Sequence, residues 1–195
     1  MSLAKLRHKI DALDKQILQL LSKRADVIVD VARHKSMTGA SVYAPERERQ
    51  VIESIKSFNK GPLTNESLEA IYREIMSASL ALEKPLRIGF MGPEASFSNL
   101  AAIKRFGSQV EYVACESITD VFLEVERDSC DYGVVPVENS IEGAVSHTLD
   151  MFMDSDLQIC SQVILNISHN LLSKYPKEKI KRVYSNPQVF GQCRL

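Results

Sequence analysis

Three polar residues stand where apolar helical seams should continue. From Leu3 to about Met37, apolar residues recur at Leu6, Ile10, Leu13, Ile17 and Leu20, then at Val27 and Val31. Steps of four and three of this kind trace one face of a helix. The step after Leu20 lands on Arg24. In a second segment the stripe Ile52, Ile55 and Phe58 extends back to Glu48. In a third, the run Leu68, Tyr72, Ile75 and Leu82 is interrupted at Ser79. A charge buried without a partner costs several kcal/mol, so each charged interruption needs a counter-charge or a ligand. Lys35 follows Arg24 by about three helical turns and shares its face. Arg7 precedes Arg24 by a distance that rotates it roughly 100° off that face, so it reaches the same place more easily from a second chain. Two readings stand at this point. Arg24 could pair with Glu48 and fix the register of a helix–helix contact. Alternatively, the cations converge on a small anion with more than one carboxylate, which the planar fork of arginine suits.

The elements that must carry these residues are three helices. The first is expected over about 3–37 and stops at Thr38-Gly39. About 35 residues at 1.5 Å each make a rod of about 50 Å, too long for so small a globule to bury alone. A heptad-like seam of this length argues for a partner helix, most simply from a second copy. Pro45 suits the first turn of a second helix, to about Asn59. Gly61-Pro62 breaks it. Thr64 can cap a third helix, with Leu63 and Leu68 placed as a hydrophobic staple, to about Glu83.

The chain has 195 residues, 24 basic and 25 acidic, a net charge of −1 and 45% hydrophobic residues. That composition reads as a globular protein with no charge excess to attract nucleic acid or an anionic membrane. No apolar run approaches the roughly 18 residues of a membrane helix, and the N-terminus has no apolar core of a signal peptide. A cytoplasmic location is expected. Cys115, Cys130, Cys160 and Cys193 are widely spaced and read as free, buried thiols, with no metal site or cofactor expected.

Segment 6–35, LRHKIDALDKQILQLLSKRADVIVDVARHK, followed by YAPERER at 43–49, closely resembles the all-helical chorismate mutases. The resemblance covers about residues 3–84. It implies three helices per chain, intertwined in a homodimer with two sites. Carried over by position, it implies Arg7 of the partner chain, Arg24 and Arg47 as carboxylate and orientation contacts. Lys35 and Glu83 would meet the ether oxygen of the breaking bond. Glu48 would hold the substrate hydroxyl, and Ser79 would help seat a carboxylate. A further polar contact of some relatives falls on Ala44. The implied conversion of chorismate to prephenate is a pericyclic rearrangement that needs no nucleophile, metal or cofactor. The pocket has only to hold the dianion in its compact conformer and stabilise charge developing on the ether oxygen. Lys35 is a fixed cation for that task. Glu83 helps at the oxygen only when protonated, a form that burial would favour.

The chain changes character near Lys84-Pro85, giving a division into 1–84 and 86–195. RIGFMG (87–92) reads as a buried strand, then a turn over 93–98 and a helix to about Phe106. A strand at 110–115 and a helix capped by Ser117, with Asp120 three residues on, repeat the unit. YGVVPVEN (132–139) reads as a strand running into a polar loop, and a helix after Gly143 reaches about Phe152. The runs 157–172 and 182–185 read as further extended chain. Alternation of this kind argues for an α/β layered domain with binding loops at the strands' C-terminal ends. Those loops carry Ser96, Ser98, Glu138 and Asn139. A serine-bearing turn at a helix N-terminus can receive an anion, while capping and solvation account for the same residues without one.

The segments IGFMGPEASFSNLAA (88–102), GVVPVENSIEGAVSHTLD (133–150) and YSNPQVFGQC (184–193) resemble prephenate dehydratase. The implied fold has two lobes like the type 2 periplasmic binding proteins, of which residues 86–195 supply only part. Ser96 and Ser98 would lie by the entry turn, Glu138 and Asn139 in the cleft, and Ser185 and Gln192 at the second lobe. Ala95 stands where the family usually has Gly, and Asn186 where it usually has His. The chain stops at Leu195, before most of the second lobe and the threonine-rich motifs of the family. A partial cleft cannot exclude water, so dehydratase turnover is not expected of these residues alone. The expected whole is a mutase joined to a dehydratase (prephenate to phenylpyruvate, water and CO2) in L-phenylalanine biosynthesis. The competing reading is a non-enzymatic coiled-coil dimeriser carrying a small-anion binding module. It accounts for an Arg24–Glu48 pair, but gives no reason for Lys35, Arg47 and Glu83 to point the same way.

Overall fold

A computed structural model describes residues 2–39, 42–139, 143–185, 189–190 and 193. Three helices come first. Helix α1 (Leu3–Thr38) is capped by the Ser2 side chain and ends at Gly39 in the left-handed conformation. Helix α2 (Pro45–Phe58) starts on Pro45. Helix α3 (Asn65–Glu83) is capped by Thr64, whose hydroxyl accepts from the Ser67 amide. Both α1 and α2 pack on α3. Residues 3–23 of α1 are all exposed, ahead of the contact that begins at Arg24. They include the seam residues Leu6, Ile10, Leu13, Ile17 and Leu20.

The α/β half follows three residues later. Strand β1 (Arg87–Met91) leads to α4 (Phe97–Phe106), β2 (Glu111–Cys115), α5 (Ile118–Glu126) and β3 (Tyr132–Val134). The three strands pair in parallel in the order β2-β1-β3, with Ile88 opposite Tyr112 and Tyr132. A parallel sheet needs cover on both faces. On one, Leu86, Ile88 and Phe90 pack with Ala102 and Phe106 of α4. On the other, Gly89 lies beside the Cys115 and Cys130 thiols, and Gly133 lies beneath Val121 of α5. Fully burying side chains of this size stabilises by about 1.5–3 kcal/mol each. Ser117 and Asp120 form a reciprocal capping box at the start of α5. Strands β4 (Glu138–Asn139) and β5 (Gly143–Ala144) form a short antiparallel pair before α6 (Ser146–Asp154).

Two expectations need correction. The strand at 132 ends at Val134, and the polar loop expected to follow it carries a second short strand, Glu138–Asn139, after 135–137. The runs 157–172 and 182–185 have no regular secondary structure and pair with no strand among the described residues, and most of their residues are exposed. A strand requires ladder partners for its N–H and C=O groups, and none of the described residues supplies them. The cysteines also divide: Cys115 and Cys130 are buried, and burial pushes both thiols up, whereas Cys160 and Cys193 are exposed. All four are free.

The two halves meet at a packed joint. Tyr43, between α1 and α2, is buried among Phe106 and Tyr132, with ring centroids 4.9 and 5.0 Å away. Gly107, after α4, approaches α3 so closely that a Cβ there would fall 2.5 Å from the Ser77 Cβ. Its φ of +76° favours glycine as well. The Ser77 hydroxyl accepts from the Gln109 amide at 3.0 Å, and the Glu74 carboxylate accepts from the Ser108 amide.

Candidate active site

Helix periodicity puts Ser79 and Glu83 one turn apart on the same face of α3. That face meets α1, and two polar contacts form across it. The Arg24 guanidinium donates from Nη1 to the Ser79 hydroxyl, which donates in turn to the Ile75 carbonyl at 2.7 Å. One step along the seam, the Lys35 Nζ lies 2.8 Å from Glu83 Oε2 and 2.7 Å from the Val42 carbonyl oxygen. The Glu83 side chain is only 6% exposed, so this ion pair is largely withdrawn from water. An ammonium has three donors, and two are engaged here, which leaves one for a third partner.

The other expected residues lie elsewhere. Arg7 is exposed in the N-terminal part of α1, and Arg47 is exposed on the first turn of α2. Glu48 does not pair with Arg24. Its Oε2 instead lies 3.2 Å from Nη2 of Arg105, at the end of α4, and both side chains are mostly buried. Burial pushes the Glu48 carboxyl above its ordinary range, and Arg105 opposes that shift. Glu48 thus opens onto a cleft between α2, α3 and α4, lined also by Ile52, Glu69, Arg73 and Lys104. Arg24, Lys35, Ser79 and Glu83 do not line it. Sequence reasoning missed Tyr43 and Arg105. The Arg105 guanidinium sits 5.3 Å from the centre of the Tyr43 ring. Burial also drives the Tyr43 hydroxyl pKa upward, against the pull of Arg105. The available signal was a lone aromatic in a short interhelical connection.

In the α/β half, Ser96 caps α4, accepting from the Asn99 amide at 3.2 Å and donating to the Met91 carbonyl at 3.3 Å. Ser98 lies in the first turn of α4, half-buried. The turn before it holds Ala95 at φ +62°, a left-handed conformation, with its amide donating to Asn99 Oδ1 at 3.0 Å. Glu138 is exposed on β4, where it pairs in register with Ala144, and Asn139 follows opposite Gly143. The turn after β1 and the segment after β3 leave adjacent parallel strands in the same direction, the end of a sheet at which α/β domains bind ligands. Ser185 is exposed, and Gln192 lies outside the described residues. Among the described residues no cluster of His, Cys, Asp and Glu could hold a metal ion. No helix of the described chain is long and apolar enough to cross a membrane.

Comparison with known proteins places both halves. Residues 6–84 match the family "Chorismate mutase type II", and residues 88–195 match "Prephenate dehydratase". The chain is 46% identical over 196 residues to the bifunctional chorismate mutase/prephenate dehydratase of Pseudomonas aeruginosa, covering 97% of this chain and 54% of that protein. The protein of the same name from Aquifex aeolicus is 44% identical, covering 98% of this chain and 54% of the relative. A solved chorismate mutase (Form II) from Thermus thermophilus is 32% identical, with a TM-score of 0.41, over 42% of this chain and 92% of that one. The chain spans about half the length of the curated relatives it matches. It belongs to the prephenate dehydratase family, and it carries a type II chorismate mutase domain ahead of the dehydratase segment.

Proposed function

We propose that residues 1–84 convert chorismate to prephenate and that residues 86–195 belong to a dehydratase acting on that product, in L-phenylalanine biosynthesis in the cytoplasm. The observation that carries the reading is the pair of contacts Arg24–Ser79 and Lys35–Glu83 on one helical seam. Arg24 and Ser79 seat a substrate carboxylate, Arg47 turns inward to orient the dianion, and Glu48 accepts from the substrate hydroxyl. The remaining Lys35 donor stabilises the ether oxygen as its bond to carbon breaks and a new carbon–carbon bond forms. Such fixed charge, aimed at the developing anion, lowers the barrier without a covalent step. Glu83 accepts from the Lys35 ammonium at 2.8 Å and so holds it in place beside that oxygen. Ser96, Ser98, Glu138 and Asn139, with Ser185 and Gln192, are the proposed prephenate contacts of the dehydratase.

The working unit is a homodimer. All seven apolar residues of the α1 seam, from Leu6 to Val31, are exposed in the single chain, and a second copy of the same helix is the simplest surface to cover them. It would also bring Arg7 to the partner's pocket. The test is loss of chorismate absorbance. Lys35→Ala should lower kcat/KM by about 10²–10³-fold, the scale of removing one donor to a developing anion. Glu83→Gln, which keeps the side chain's shape but removes the counter-charge of Lys35, should lower kcat/KM less than Lys35→Ala does. No turnover by a folded, dimeric wild type would sink the mutase reading.

A further inference from the structure

The reading above assigns Glu48 to the substrate hydroxyl, yet its carboxylate is held by a residue from the other half. Arg105 is not a loose surface cation. Its side chain is 24% exposed, it lies over the Tyr43 ring, and Tyr43 is wedged against Phe106 and Tyr132. Its neighbour Phe106 is itself in the α/β core, and Gly107 fixes the end of α4 against Ser77. Arg105 is thus anchored by the joint and not by Glu48. Glu48, by contrast, is one turn into α2. Of the two partners, Arg105 has the joint behind it, whereas Glu48 stands on a helix with no fully buried residue. The cleft it faces contains none of the four residues at the α1–α3 contact.

We propose that Arg105 is an intramolecular rival of chorismate for Glu48, so that the α/β half sets the affinity of the mutase site. The inference rests on the mutase reading and on Glu48 as a substrate contact. Arg105 is a positioning residue here: it decides where Glu48 points and touches no reacting atom. A site that is competent only in a fraction of molecules has its apparent affinity weakened by that fraction. Releasing Glu48 therefore strengthens substrate binding without changing the bond-breaking step. Movement of α4 with events in the α/β half would pass to the mutase through the same contact.

The test is steady-state mutase kinetics of the full chain, with dimer content and helicity checked for each variant. Arg105→Gln should lower KM for chorismate by about three- to tenfold, with kcat within twofold, as removal of a conformational competitor requires. Arg105→Lys retains the charge and should stay within twofold of wild type. In a Glu48→Gln background, Arg105→Gln should change KM by less than twofold, because the route through Glu48 is closed. Arg105→Met serves the same comparison if the glutamine variant does not fold. An unchanged KM overturns the inference. A raised KM does so too and makes Arg105 a support for Glu48. So does an equal fall in KM in the Glu48→Gln background. Absence of turnover in the wild type would remove the mutase reading itself and this inference with it, an outcome distinct from turnover with an unresponsive KM.

Discussion

Along the 36 residues of α1 and the 14 of α2 no residue is fully buried, whereas the much shorter α4 and α5 bury three each. Apolar residues are plentiful in both regions. The difference lies in what covers them. Each strand–helix unit of the α/β half lays its helix back on its own sheet, so Ala102, Phe106, Val121 and Phe122 find cover within a few tens of residues. A rod such as α1 runs past the helices it packs on. Ile10, Leu13 and Ile17 remain more than half exposed. The three-stranded sheet and its two helices therefore find their cover within the chain, while α1 presents a seam that the proposed second copy would close.

The most disruptive way to break this contrast is Ile17→Asp. If the seam is an interface, a charge there loses the burial of Ile17 and must itself be desolvated, at a cost of several kcal/mol. Sedimentation should show monomer, and chorismate turnover should disappear, while the α/β half stays folded. If α1 is an ordinary surface helix, the same change should stay within about 0.5 kcal/mol and leave the assembly unaltered. Tyr43→Ala probes the joint between the regions. Truncating a buried aromatic costs about 3 kcal/mol or more, and urea unfolding should show that loss. A loss below about 1 kcal/mol would mean that the two halves touch without supporting each other. Ala95→Gly acts on the α/β half alone. The left-handed conformation costs a residue with a Cβ about 1–2 kcal/mol, offset by the greater freedom of glycine when unfolded. A gain of about 0.5–1 kcal/mol in thermal stability is expected, with no change in dimer content. A destabilised Ala95→Gly would show that the alanine methyl is itself packed.

What the sequence made legible was local. The stop of α1 at Gly39, the Thr64 cap and the Ser117–Asp120 box depend on residues within one turn, and each appears where its neighbours call for it. The heptad steps marked the α1 face on which Arg24 and Lys35 lie. Their partners Ser79 and Glu83 are 55 and 48 residues away, and the resemblance, not periodicity, joined them into one site. Arg105 shows the limit most clearly. It sits 57 positions from Glu48, in a segment with its own motif, and nothing in either stretch ties them together. The run at 157–172 failed as a strand for a related reason. Apolar alternation states a preference for extended backbone, but a ladder needs a second strand in register.

The aromatic cluster at the joint also gives the protein an optical identity. The chain has no tryptophan and six tyrosines, so its near-ultraviolet signal is a tyrosine signal. Tyr175 and Tyr184 are exposed, whereas Tyr43 and Tyr132 pack edge to face against each other and both lie against Phe106. Side chains held in one asymmetric packing give near-ultraviolet circular dichroism, and loosened ones lose it. Part of this chain's near-ultraviolet spectrum therefore comes from the joint between its two halves, and it can follow their separation without any added label.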